Sequence, residues 1–169
     1  MADTARDIYV TGLHNAHGAE KQAVSTLTNA AARLEHYPEL RAAFERHAQE
    51  SEVQASRIEQ ILGAMGESPS TIKDVGMKIV GNLQSMIHTT MEDEVLKNAF
   101  TAYAYEHFEI ASYTSLLAMA EAAGDAQGPA LLRQTLQEEE RTAKLLEGMI
   151  EQVTRRYIQL ETSGQTAGV

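Results

Sequence analysis

The chain has no cysteine and no tryptophan among its 169 residues, and only three prolines. Without cysteine there is no disulfide, no thiolate metal site, no cysteine nucleophile and no attached iron–sulfur or rubredoxin centre. Rare proline leaves long helices uninterrupted. No apolar run approaches the ~20 residues of a membrane-spanning helix. The first residues, Met1 to Asp7, carry no apolar signal-peptide core, so a cytoplasmic protein with no membrane partner is expected. Cations are also scarce: 14 Lys and Arg face 24 Asp and Glu, a net charge of −10. That balance argues against nucleic acid or an anionic membrane as the main partner. What the chain has in quantity is Ala, Leu, Glu and Gln, all good helix formers. The expected class is all-α, one domain over residues 1–160 with a real core, followed by a flexible polar C-terminal tail at 161–169.

Apolar periodicity places four long helices and one shorter one. Asp3 or Thr4, both competent N-caps, opens a helix that runs to about His36 with Leu13, Ala16, Val24, Leu27, Ala31 and Leu34 on one face. Pro38 suits the first position of a second helix, which runs to about Met65 and stops at Gly66. A turn at 66–70 leads to a shorter amphipathic helix over 71–89. That segment is too long for a hairpin loop; as a crossover it lets the next long helix run parallel to the second. The third long helix covers about 91–123, with Thr90 and Asp93 placed as in a capping box, and stops at Gly124. Pro129 starts the fourth, which runs to about Leu160.

Carboxylates sit inside these apolar stripes. At about 100° per residue, Glu20 lies within roughly 40° of all six apolar residues of its helix, and Glu106 within roughly 60° of Val95, Ala99, Tyr103, Ile110, Tyr113 and Leu117. Glu139 centres the stripe of Leu132, Leu136, Ala143, Leu146, Ile150, Val153 and Tyr157. Its neighbours Glu138 and Glu140 point about 100° away and are expected to be solvated. On the second helix His47, Glu50, Gln54 and Arg57 form a polar ridge along the flank of the stripe; a solvated flank with a Glu50–Arg57 contact would explain that ridge equally well. Glu109 follows Glu106 by one turn, at the edge of its stripe.

A lone buried carboxylate costs several kcal/mol unless it is paired, neutralised or metal-bound. Three at stripe centres on three helices would repel one another and take up protons. Two divalent metal ions remove that conflict, and hard carboxylate oxygens suit Fe, Mn and similar ions. Iron is the first expectation, with Mn or Zn as alternatives. The expected ligands are Glu20, Glu50, Glu106, Glu109, Glu139 and His47, and Gln54 could add a carbonyl oxygen. Di-iron bundles use a Glu from each of two helices and Glu-x-x-His from two others. Here Val53 and Thr142 stand where those histidines would be, and His47 and His17 instead precede Glu50 and Glu20 by three. Tyr103 and Tyr113 flank Glu106 and could hydrogen-bond a ligand or supply an electron; core tyrosines with satisfied hydroxyls are the plainer reading.

Ala19-Glu20-Lys21-Gln22, the ridge His47…Glu50…Gln54…Arg57, the run Glu106-His107-Phe108-Glu109-Ile110-Ala111-Ser112-Tyr113 and Thr135-Leu136-Gln137-Glu138-Glu139-Glu140 together resemble the YciF/YciE family of stress proteins, over roughly residues 7–150. The resemblance implies a ferritin-like, rubrerythrin-related four-helix bundle with a fifth shorter helix, a dinuclear metal site and a homodimer. The rubrerythrin likeness implies that Glu109 can swing onto the metal; Glu109, with Tyr113 from its place beside Glu106, is the expected catalytic pair. At Ala143 the chain departs from the family, where an acid is expected. Three functions compete. One is di-iron oxidant chemistry with O₂ or peroxide, with electrons from an external donor. The second is metal binding without turnover. The third is a structural or interaction bundle.

Overall fold

The computed structural model describes residues 2–68 and 93–167, and all regular structure among them is α-helix. The helices are α1 (Ala2–Ala31), α2 (Pro38–Ala64), α3 (Glu94–Ala123) and α4 (Gly128–Thr162). The expected helix over 71–89 and the Thr90 cap lie outside the described residues. No described helix is long and apolar enough to cross a membrane.

Contacts at the two ends fix the helix directions. At one end Arg6 of α1 meets Glu67 just past α2 (2.7 Å), and the Tyr9 hydroxyl donates to Asp125 just past α3 (2.9 Å). At the other, Arg33 just past α1 meets Glu94 at the start of α3 (2.7 Å). So α1 runs antiparallel to both α2 and α3, and α2 and α3 run the same way. The chain leaves α2 at one end of the bundle and enters α3 at the other. This is the ferritin-like four-helix bundle, with α2 and α3 on one diagonal and α1 and α4 on the other.

The helix ends follow local chemistry. Pro38 opens α2, and Gly66 and Gly124, at φ 76° and 72°, take the left-handed conformation that ends α2 and α3. The first helix stops at Ala31, short of the expected His36. There the hydrogen bonds tighten, with the N–H groups of Arg33 and Leu34 reaching back only three residues. Tyr37, before Pro38, takes φ −132° and ψ 64°, outside the helical region. Leu34 and Tyr37 are nevertheless buried, so the apolar periodicity continues where the helix does not. The tail also departs from expectation. α4 continues to Thr162, Ala167 is buried in the core, and the Tyr37 hydroxyl donates to its carbonyl at 2.7 Å.

The core is in two parts. One, nearer the α1–α2 turn, contains Leu27, Leu34, Phe44, Val95, Leu146 and Leu160. The other, nearer the opposite end, contains Tyr9, Leu13, Ile58, Leu62, Leu116 and Leu132. Between them lies a buried polar layer: Glu20, His47, Ser51, Gln54, Glu106, Glu109 and Glu139. The outward side of α3 is unusual for a surface helix. From Asn98 to Ala120 its only acidic or basic residues, apart from His107, are Glu106 and Glu109, and both face inward.

Candidate metal centre

Helical spacing builds the polar layer. On α2, His47, Ser51 and Gln54 follow at four and three residues. On α3, Glu106, Glu109 and Tyr113 follow at three and four, and on α4, Thr135, Glu139 and Thr142 at four and three. Each set occupies one helix face over two turns. α1 supplies Glu20 alone. Every one of these residues is buried.

His47, Glu106, Glu109 and Glu139 each place a donor atom within 4.8 Å of the others. His47 Nε2 lies 3.1 Å from Glu106 Oε1 and 3.7 Å from Glu139 Oε2. The other ring nitrogen, Nδ1, faces Glu50 at 3.6 Å and the Thr142 hydroxyl at 3.4 Å. Glu20 stands beside this set, tied by the Tyr113 hydroxyl, which donates to Glu20 Oε1 at 2.5 Å. Neither oxygen of Glu109 meets a hydrogen-bond donor among the described residues, and Glu20 Oε2, Glu106 Oε2 and Glu139 Oε2 are likewise unpartnered. Only a proton held by one of the two carboxyls would join Glu109 to Glu139.

The electrostatics follow from four buried carboxylates sharing one imidazole. Burial, and then the charges of Glu20, Glu139 and Glu106, push the Glu109 carboxyl well above the usual range. Burial and the Glu20 charge push Glu139 up to about 10, against the pull of His47. Burial raises Glu20 to about 7, opposed by its bond from Tyr113. Burial alone would lower His47, but its contacts with Glu106 and Glu50 outweigh burial and push it up to about 11. Contact with His47 in turn holds Glu50 below the usual carboxylate range. The donor chemistry fits divalent metal: compact, oxygen-rich, with one imidazole and with unpartnered oxygens that have no other occupation. The same atoms without a cation must hold protons that exposed carboxylates would release.

The expected residues are not all brought together. Glu20, His47, Glu106, Glu109 and Glu139 converge. Glu50 does not join them; it is about one-third exposed and lies on the far side of the His47 ring. The amide nitrogen of Gln54 is turned to carboxylates, donating to Glu138 Oε2 at 3.2 Å and to Glu139 Oε1. His17 faces away and pairs with Glu59 at 2.8 Å. Glu138, expected to be solvated, is instead nearly buried against Arg57 in a two-pronged ion pair. That pair replaces the Glu50–Arg57 contact.

Glu109, expected at the flank of its helix, is 1% exposed, whereas Tyr103 and Ile110 are only partly buried. The buried face of α3 is therefore rotated toward Glu109. That rotation brings in Tyr105, a residue that the periodicity missed. Its hydroxyl donates to the Ala19 carbonyl at 3.1 Å. Burial and the nearby charge of Glu109 raise its pKa.

The family model described as "Domain of unknown function (DUF892)" matches residues 4–159. Protein YciF of Escherichia coli K12 is 34% identical over 162 residues, covering 90% of this chain and 95% of that protein. The crystal structure of the E. coli stress protein YciF superposes with a TM-score of 0.75 at 30% identity, covering 86% of this chain and 94% of that one. A crystal structure from Xanthomonas campestris pv. campestris gives a TM-score of 0.80 at 30% identity, covering 94% and 99%.

Proposed function

The chain belongs to the DUF892 family, of which YciF is a relative, and from that premise we propose that it is a ferritin-like protein binding a dinuclear metal centre in its polar layer, with iron the first candidate. One observation carries the reading: four fully buried carboxylates face one imidazole, and several of their oxygens have no partner. In this reading His47, Glu106, Glu109 and Glu139 hold metal together, and Glu20 reaches the second ion from its place beside them.

The metal pair would supply two-electron chemistry with O₂ or peroxide, consistent with the stress protein to which the chain is similar. The protein's own contribution is specific. The two apolar halves of the core keep bulk water away from the layer. Tyr113 holds Glu20 by its hydroxyl and stands one hydrogen bond from the centre. No other side-chain donor among the described residues holds Glu109, so it gives up only the proton shared with Glu139 when it changes position. With no cysteine in the chain, electrons for turnover come from an external donor.

A second reading, a single bound ion without turnover, draws on the compactness of the four-donor set and on Glu20 being engaged elsewhere. Metal analysis with Fe(II) titration and an absorbance readout tests both. Two ions per chain, lost in the Glu106→Ala/Glu139→Ala double variant, is the expected result. One ion per chain selects the second reading. Unchanged metal content in the double variant rules out the proposed site. At a free metal concentration a hundred times Kd, each bound ion adds about 2.7 kcal/mol to stability, which raises Tm by roughly 5–10 °C per ion for a chain of this size.

A further inference from the structure

Three residues outside the donor set close its α2–α4 side. The Arg57 guanidinium grips both oxygens of Glu138, with Nη1 at 2.5 Å and Nη2 at 2.8 Å. Nη1 also donates to the Thr135 hydroxyl at 3.1 Å. The Gln54 amide nitrogen bridges the next step, donating to Glu138 Oε2 and to Glu139 Oε1. Gln54 is fully buried and Arg57 nearly so. An amide carries two N–H donors, and here both point at carboxylates. In this orientation the Gln54 carbonyl oxygen has no partner among the described residues, while a flipped Gln54 would set it against the same two carboxylates. Glu138 is fixed in turn by the fork of Arg57, a geometry that a lysine cannot reproduce.

We propose that Gln54, Arg57 and Glu138 are positioning residues for the metal centre: they occupy Oε1 of Glu139, so that Glu139 offers the metal the single oxygen Oε2. Chelation through both oxygens would draw Oε1 toward the metal and weaken the bond from a buried amide N–H, which is unfavourable. Glu139 Oε2 is the unpartnered oxygen, 3.7 Å from His47 Nε2 on the side of the donor set. This inference rests on the metal reading above. It adds that a carboxylate one residue from the site, paired with an arginine on another helix, sets how a ligand binds.

Co(II) tests it, because visible absorption weakens as its coordination number rises, and affinity is read separately by calorimetry. Gln54→Met keeps the volume and removes the donor. The expected result is weaker Co(II) binding by about tenfold or more, with a fall in absorption per bound ion as Glu139 chelates. Arg57→Lys keeps the charge and loses the fork, and moves both readings the same way by less. A purely structural role would change the melting temperature but not the absorption per bound ion. If Gln54→Met does not fold by circular dichroism, the same two readings on Arg57→Lys decide. Wild-type affinity and absorption in the folded variant overturn the positioning role and leave the metal reading standing. If wild-type protein binds no Co(II), Fe(II) or Mn(II), the metal reading fails and this one with it.

Discussion

Glu138 and Glu139 are adjacent in sequence and both nearly buried, yet the structure treats them in opposite ways. Glu138 has its cation: Arg57 meets both of its oxygens. Glu139 shares one imidazole with Glu20, Glu106 and Glu109, and keeps an unpartnered oxygen. The first arrangement is complete as it stands. The second is three positive charges short if every carboxylate is ionised and His47 is protonated. A protein that can build the Arg57–Glu138 pair one residue away has the means to neutralise a carboxylate with a side chain. The neighbouring layer lacks such a side chain, and the proposed metal would supply the missing charge.

Breaking the complete side should cost most. Glu138→Ala leaves the Arg57 charge buried without its partner and lowers stability by about 3–5 kcal/mol, read from the urea midpoint. Arg57→Met combined with Glu138→Leu recovers most of that loss, since apolar replacement of a buried pair is often close to neutral.

The incomplete side should reveal itself through pH. In metal-free protein burial pushes Glu20 up to about 7 and, with the Glu20 charge, Glu139 up to about 10, while contacts with Glu106 and Glu50 push His47 up to about 11, all above their unfolded values. The folded protein then holds protons that the unfolded chain has released, so stability falls as pH rises. For Glu20 the loss runs from about pH 4.5 to 7, and for Glu139 it continues to about 10. His47 adds a loss of the same sign between about 6.5 and 11. Denaturant melts across pH 5–8 should therefore show a steady decline in metal-free protein. A divalent metal displaces the protons and should flatten it. An unchanged slope after loading would count against metal in the layer.

A smaller effect is expected from Glu109→Gln in metal-free protein at pH 8. The amide removes a charge that burial and the neighbouring carboxylates disfavour, so stability should shift by less than about 1 kcal/mol, upward if at all. Metal affinity should fall in the same variant. The smallest effect belongs to His17→Gln. Breaking its pair with Glu59 at the surface should cost at most about 1 kcal/mol and leave metal binding unchanged by titration.

How much of this was legible depends on where the information lies. Glu20, Glu106 and Glu139 were found by helix phase alone, because each centres an apolar stripe whose period the sequence records. Glu138 was not, because its burial comes from Arg57 on another helix, and a 100° offset carries no trace of that partner. The phase of α3 was read slightly wrong because the helix is apolar almost all round. Tyr103, Ile110 and Leu117 compete with Asn98, Leu116 and Ala120 for the buried side, and packing against α1 and α4 decides. Leu34 misled for the opposite reason: it keeps the period and the burial while the backbone leaves the helix at Ala31. The buried Ala167 had no signal, since a small residue in a polar tail is ordinary until the Tyr37 hydroxyl is seen to hold its carbonyl.

The polar layer also divides the molecule mechanically. Apolar packing binds Leu13, Ile58 and Leu116 into one unit and Leu27, Phe44 and Leu146 into another, and the layer between them is crowded with carboxylates that disfavour one another's charge. Such a seam weakens cooperativity, because each half keeps its own packing when the other opens. Amide hydrogen exchange should then resolve two opening units in metal-free protein, with their boundary near Glu20, Ser51, Glu106 and Glu139. The proposed metal pair, held from all four helices at that boundary, would weld them into one unit, so that the bundle's indivisibility would come from what it binds.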